Sequence, residues 1–352
     1  MKVDKQMESE RSKYLDLVKG LTILLVVVGH CIQFGSGSEY LGADKYFENI
    51  VFKLIYSFHM PLFAMISGYL YWNSVQKRTF WQTAVGKLKT IFVPIVVWGT
   101  ISFAVTIFEN GVPGNVMYLL SSYFWTITGT LWFLWALLYC YVTVAIIHYV
   151  LKDQLILYIA LIVVFLITPD QLNLGRFKFL FPAFVIGYMW NKYNVRERLS
   201  VNKKSTEFIV GVGCLAYIVL LQRFTNDYYI YTTGVTLLGC DSILSQLDYD
   251  FTRWIIGIVG SGLVLLAIYC LVQGKDKLNL AQRKMVDLGR KSLGIYIINN
   301  YLNQYILKVY LGKMTFSYLY VIIETILVLT LCYLLTAGIE KIKPMSKLLL
   351  GK

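Results

Sequence analysis

Charge is scarce in this chain. Only 15% of its 352 residues are Asp, Glu, Lys or Arg, and the acids are the scarcer sign, 20 against 33 bases. That excludes a soluble domain with a large core. Histidine occurs three times, at His30, His59 and His148, and none stands at metal-ligand spacing from a cysteine, so no metal is expected. Cysteine occurs six times. All but Cys240 fall in apolar runs (Cys31, Cys140, Cys214, Cys270 and Cys332), which argues against a disulfide framework and for small core side chains.

What is abundant is apolar surface. The chain is 57% hydrophobic with a mean hydropathy of +0.60, the composition of a polytopic membrane protein. Its net charge of +13 would point to nucleic acid in a soluble protein. In a membrane protein it reads as the basic bias of cytoplasmic loops, and no nucleic-acid partner is expected. The pattern predicts an all-α bundle of about ten transmembrane helices near 15–33, 47–72, 89–108, 131–150, 154–168, 178–193, 206–224, 253–273, 291–311 and 315–338. Residues 1–14 form a polar leader, 15–338 a single transmembrane domain and 339–352 a basic tail. The first run has a charged lead and no small-residue cleavage site, so it is read as a retained span. The aromatic segment 109–130 is expected to be re-entrant or interfacial. Placing both termini in the cytoplasm puts 25 of the 33 Lys and Arg on that side. The expected location is a bacterial inner or plasma membrane, in contact with membrane lipid; homodimerisation is left open.

The rare polar groups are then the informative ones. In YLDLVKGLTILLVVVGHCIQ, Lys19 and His30 are eleven residues apart. At 3.6 residues per turn they share one helix face, roughly 16 Å apart along the axis, with Asp16 near the same face. Ionisable groups in a span are functional candidates. A base poised in a dry pocket can take a proton from a hydroxyl while that oxygen attacks an acyl carbonyl, and histidine is the usual base. His30 is read equally as catalytic or as interhelical glue. His59, just before Met60 and a helix-bending Pro61, leans towards glue or site architecture. Lys19 either meets an anionic phosphate or snorkels with Asp16. Arg176 is an interface anchor or a fork-like donor to an oxyanion or sugar. Glu324 needs a partner or a proton, and structural pairing is the safer reading. Ser292, Tyr296, Asn299 and Asn303 recur at steps of four, three and four, one polar face that glues helices or lines an acceptor path. Trp125, Trp132 and Trp135 form an aromatic belt or a stacking floor for a sugar. His148 is expected to reach the headgroups.

Several of these stretches together resemble the integral-membrane acyltransferase 3 family, whose members O-acetylate cell-envelope sugars. YLDLVKGLTILLVVVGH is similar to its opening motif, a basic residue, ten others and a histidine, which maps to Lys19 and His30. SFHMPLFAMISGYL is similar to its second signature, and LWFLWALL and GRFKFLFPAFVIGY to later ones. KSLGIYIINN departs from the last motif, having Asn299 or Asn300 where the family often has histidine. The resemblance implies acetyl-CoA as acyl donor on the cytoplasmic side, its head near Lys19, Asp16, Lys77 and Arg78. It also implies a glycan or lipid-linked glycan acceptor, met by Glu324, Asn299, Asn303, Tyr296 and Trp132. His30, His59 and Arg176 are the implied catalytic set. With no extracytoplasmic domain in the sequence, transfer is expected to finish in the membrane part or on a separate partner. The competing reading is a proton-coupled glycan or lipid transporter.

Overall fold

The computed structural model describes residues 2–35, 47–112, 114–195, 203–272, 278–311 and 316–352. The Gly/Ser-rich stretch 36–46 and the basic-loop segments 196–202 and 273–277 lie outside the described residues. Every regular element among the described residues is helical. In chain order these are α1 (Lys2–His30), α2 (Ile50–Lys77), α3 (Phe80–Lys87), α4 (Val93–Asn110), α5 (Val116–Gly129), α6 (Trp132–Tyr149), α7 (Leu155–Leu166) and α8 (Leu174–Lys192). Then follow α9 (Lys203–Arg223), α10 (Ile230–Thr233), α11 (Ile243–Val272), α12 (Leu280–Arg290), α13 (Ser292–Leu302), α14 (Tyr318–Lys341) and α15 (Lys343–Leu350). Three π-helical stretches extend this series: Cys31–Gly35 after α1, Leu88–Phe92 between α3 and α4, and Asn303–Leu311 after α13.

All ten stretches expected to span are helical, but they differ in reach. Among the described residues, six helical runs are long and apolar enough to cross a membrane: Lys13–Phe34, Ile50–Lys77, Phe80–Asn110, Trp132–Tyr149, Ile243–Val272 and Tyr318–Lys341. They make this a multi-pass membrane protein. α7 is apolar but has 12 residues, about 18 Å of helix against a hydrocarbon layer of roughly 30 Å. The eighth expected span starts earlier than its apolar run, at Ile243 rather than near 253, so Arg253 stands well inside α11. The aromatic segment 109–130 becomes α5, which buries no residue and leans on α4 through Tyr123, whose hydroxyl lies 3.0 Å from Thr100 Oγ1.

α2 and α8 form the most extensive helix pair, and α1 and α12 the next. The α2–α8 pairing is not driven by apolar burial, because lipid is as apolar as the partner helix; close approach over small residues supplies the packing. A Cβ placed on Gly68 of α2 would lie 1.9 Å from the Phe184 carbonyl oxygen, and one on Gly187 of α8 would lie 1.9 Å from that of Met65. The backbones therefore touch, which brings His59 on α2 and Arg176 on α8 to one chamber.

The cysteines divide. Cys31, Cys140 and Cys332 are buried as expected, whereas Cys214 and Cys270 are exposed. An apolar run in a membrane helix has a lipid-facing side as well as a core side, and hydropathy alone does not distinguish them.

Where α1 begins is here the leader end of the bundle, and where it finishes the far end. At the leader end, His148 does not simply reach outward. Its Nδ1 lies 2.9 Å from the Tyr188 hydroxyl and 3.4 Å from Asp153 Oδ2. Asp153, in the α6–α7 turn, also accepts from Lys192 Nζ (2.7 Å) and Tyr158 (2.6 Å). Burial works to raise this carboxyl, but the bonds from Lys192 and Tyr158 and the neighbouring cations hold it below the usual carboxylate range. Asp153→Asn is expected to destabilise the fold by on the order of 1–3 kcal/mol, the penalty for unmaking a hydrogen-bonded, half-buried carboxylate, read as a lowered thermal midpoint in detergent. A folded value below the unfolded one means that this contribution is full above about pH 4 and is lost as pH falls through the lowered value. The wild-type advantage over the variant must therefore shrink on acidification. An advantage that is constant with pH contradicts the assignment.

Candidate functional site

The far half of the bundle encloses a cavity of about 450 Å³. α1 delivers His30 to it as its last α-helical residue, and the π-helical turn that follows adds Gln33 and Phe34 to the wall. π turns inside helices are often found at functional sites. α2 contributes Tyr56, Ser57, His59 and Met60; α8 contributes Arg176 and Phe179; α13 and the π stretch after it contribute Tyr296, Asn300 and Asn303. Leu131 and Trp132 open α6 at its edge. Leu131 adopts φ 51°, a left-handed conformation that is strained for a leucine and that, like other such strains, clusters at functional sites.

Each imidazole is fixed by one partner. His59 Nδ1 lies 2.7 Å from the Ile55 carbonyl oxygen of its own helix. A carbonyl only accepts, so Nδ1 carries the proton and the neutral ring keeps Nε2 as a lone-pair acceptor. His30 Nδ1 lies 2.7 Å from Asn299 Nδ2. As placed, the amide donates and Nε2–H points onward. Turning the amide over exchanges its oxygen and nitrogen with no change of shape. Nδ1–H then donates to Oδ1, which is otherwise without a partner among the described residues, and Nε2 becomes the basic nitrogen.

Arg176 lies over two rings, 4.8 Å from the centre of Tyr231 and 5.7 Å from that of Trp132. Its Nη1 donates to Asn173 Oδ1, and Asn173 donates in turn to the Thr128 carbonyl. Asn173 sits at φ 65°, a conformation asparagine tolerates better than most residues. Asn303 is 2% exposed, and neither of its amide atoms has a partner among the described residues. Buried amides are normally satisfied, so this one marks a place for a polar ligand or water.

The sequence-derived candidates thus fall into four groups. His30, His59, Arg176, Trp132, Tyr296 and Asn303 share the cavity. Asn299 stands behind His30 as its support. Glu324 is buried in α14 but is not a wall residue; its Oε2 has no partner among the described residues. The cationic candidates are elsewhere, at the leader end. Lys19 Nζ is 2.6 Å from Asp16 Oδ1, and Arg290 Nε is 3.3 Å from Asp16 Oδ2, so Lys19 is ion-paired rather than bare. Lys77 and Arg78 close α2 at the same end.

Two groups escaped the sequence reading. Arg253 lines the cavity from α11 and is 1% exposed. The sequence signal was a charge at the edge of an apolar run. Lys87 is the second. Its Nζ lies 3.6 Å from the Tyr141 ring centre and 5.3 Å from that of Tyr71, with no carboxylate partner among the described residues. The Arg78 guanidinium lies close by, 3.5 Å from where a Cβ on Gly86 would stand. Two cations with no acid between them among the described residues form a place for an anion.

Comparison with known proteins bears on this arrangement. The acyltransferase-domain family model matches residues 12–337. Nodulation protein NolL of Sinorhizobium fredii is 24% identical over 299 residues, covering 82% of this chain and 77% of its own. Nodulation protein NolL of Mesorhizobium japonicum is 22% identical over 294 residues, covering 82% and 76%. No solved structure matches the chain.

Proposed function

Because this chain belongs to the acyltransferase 3 family, and is therefore an O-acyltransferase, we propose that it moves an acyl group from acyl-CoA to a hydroxyl of a cell-envelope glycan or lipid-linked sugar, with acetyl as the acyl group. The observation that carries this reading is the joint presence of His30, His59 and Arg176 around one cavity. The acceptor hydroxyl gives its proton to His30 Nε2 as its oxygen attacks the thioester carbonyl. The tetrahedral oxyanion is stabilised by the Arg176 guanidinium. The carbon–sulfur bond then breaks, the ester forms, and His30 returns its proton to the leaving thiolate. His59 orders the acceptor through its free Nε2. Trp132, Tyr296 and Asn303 hold the sugar.

The donor's phosphates cannot enter lipid cheaply. They stay at the leader end, where Lys87, Arg78, Lys77 and the Asp16–Lys19 pair supply charge, and the acyl-pantetheine arm threads towards His30. The leader end is cytoplasmic in this reading, the chain crosses a cell membrane ten times, and both termini stay inside. No metal takes part.

The test uses the full chain in lipid nanodiscs with radiolabelled acetyl-CoA and lipid-linked sugars as acceptors. Free CoA and an acetylated sugar must appear together. Movement of glycan across the bilayer without CoA release would support a carrier instead.

The Asn299 amide supplies a sharper check. If His30 needs an acceptor at Nδ1 to hold the basic tautomer, Asn299→Asp keeps activity, because aspartate presents oxygen to Nδ1. Asn299→Leu loses roughly 10²-fold or more in kcat, as when a tautomer-setting partner is removed elsewhere. Equal loss in both variants contradicts the base assignment.

A further inference from the structure

The segment Asn226–Val235 between α9 and α11 roofs the cavity at the far end, where Tyr228, Tyr229, Ile230 and Tyr231 form part of the wall. It contains only a three-residue turn (Asn226–Tyr228) and the four-residue α10, too little to hold itself in place. Instead, buried charges fasten its distal end. Arg253 donates through Nη1 to the Gly234 carbonyl and through Nη2 to Thr233 Oγ1, each at 2.5 Å. Gln246 donates to the same Gly234 carbonyl at 3.3 Å. Asp170 Oδ2 accepts from Val235 N at 2.6 Å. Lys178 donates to the Val235 carbonyl at 3.1 Å and to Asp170 Oδ1 at 2.7 Å. The near end is held by Tyr228, whose hydroxyl donates to Asp248 at 2.8 Å.

This is a large electrostatic investment. The Arg253 and Lys178 side chains are each 1% exposed, and burying one ion typically costs several kcal/mol before pairing. The transfer chemistry uses neither Lys178 nor Asp170. With those of Arg253 and Gln246, their bonds converge on three consecutive residues, at the Thr233 hydroxyl, the Gly234 carbonyl and the Val235 N–H and carbonyl, and Gly234 at φ +64° leaves no room for anything larger: a Cβ there would lie 2.4 Å from Asp170 Oδ2. A segment held this way is a fixed cover.

What the cover presents is an aromatic corner closed by a cation. The Tyr231 ring lies edge-on to Trp132 at 6.2 Å and under Arg176 at 4.8 Å. Two aromatic faces and a forked cation suit a pyranose, whose C–H faces stack on rings while its hydroxyls reach the guanidinium. We propose that Arg253, Asp170 and Lys178 are positioning residues that lock Thr233–Val235, so that Tyr231, Trp132 and Arg176 form the subsite selecting the acceptor sugar. This rests on the acyl-transfer reading above for the identity of the acceptor as a sugar.

The test measures two quantities in nanodiscs: direct binding of the lipid-linked acceptor without acetyl-CoA, and acetyl-CoA affinity. Gly234→Ala displaces the cover without touching a membrane helix, and it is expected to weaken acceptor binding about tenfold, the equivalent of ~1.4 kcal/mol. Acetyl-CoA affinity stays at the wild-type value. Arg253→Met is expected to weaken acceptor binding likewise and Arg253→Lys to restore part of it, because an ammonium can still reach the Gly234 carbonyl. Acceptor binding unchanged in Gly234→Ala, or both ligands weakened together, overturns the proposal. Wild-type protein that binds acceptor but never releases CoA overturns the transfer reading, and the binding comparison still decides the role of the cover. If Arg253→Met does not fold, Gly234→Ala alone decides.

Discussion

His30→Ala is expected to reduce acyl transfer by at least about 10³-fold with the protein still folded. A positioned general base contributes roughly 10²–10⁴-fold, and the alanine variant also loses the proton that must return to the leaving thiolate. The fold should survive, because among the described residues the ring's polar contact is a single bond to Asn299 at 2.7 Å. The packing of α1 instead rests on fully buried neighbours such as Ile23, Val27 and Ile32. Retained acetyl-CoA binding with lost transfer is the expected signature. His59→Ala should fall less far, since the His59 ring acts through positioning. A variant at His30 that transfers acetyl at the wild-type rate would remove the base from this site altogether.

The largest structural effect is expected at Gly187. A valine there places its first methyl-bearing carbon where the Met65 carbonyl already stands, 1.9 Å away. The obstacle is backbone, not a side chain that can swing aside, so α2 and α8 must separate. Ordinary overpacking costs about 1–3 kcal/mol; a forced separation of the main helix pair should exceed that and leave little folded protein. The measurement is the yield of monodisperse protein after extraction, with Gly211→Val as the control. Nothing lies within 4 Å of a Cβ on Gly211, so that variant should extract like the wild type. Normal yield and normal activity for Gly187→Val would contradict the close crossing.

How far the sequence reached depends on which physical signal was available. Long apolar runs announced α1, α2, α4, α6, α11 and α14 without ambiguity, because lipid demands them. The helical spacing put Tyr296 and Asn303 on one face, and both line the cavity with His30. Arg176 was found because a charge at the mouth of an apolar run stands out. Arg253 was passed over because it looked like the edge of a span, and only tertiary structure shows ten further residues of helix before it. The Asp16–Lys19 pair was weighed as a local ion pair and is one. Lys87 lies between two expected spans among other basic residues, and nothing local could show that two tyrosine rings cover it. Cys214 and Cys270 were misplaced because hydropathy carries no direction.

The π-helical stretches Cys31–Gly35 and Asn303–Leu311 pack against each other beside the cavity. A π turn holds one residue more than an α turn, so side chains beyond it are turned by roughly a quarter of a circle from where uninterrupted winding would aim them. Within the two stretches themselves, side chains are thereby re-aimed relative to the faces of α1 and α13. That is how Gln33 and Phe34 come to look inward beside His30 rather than out to lipid. A relative that winds these two walls without the surplus residue would house a chamber of another shape behind the same motif.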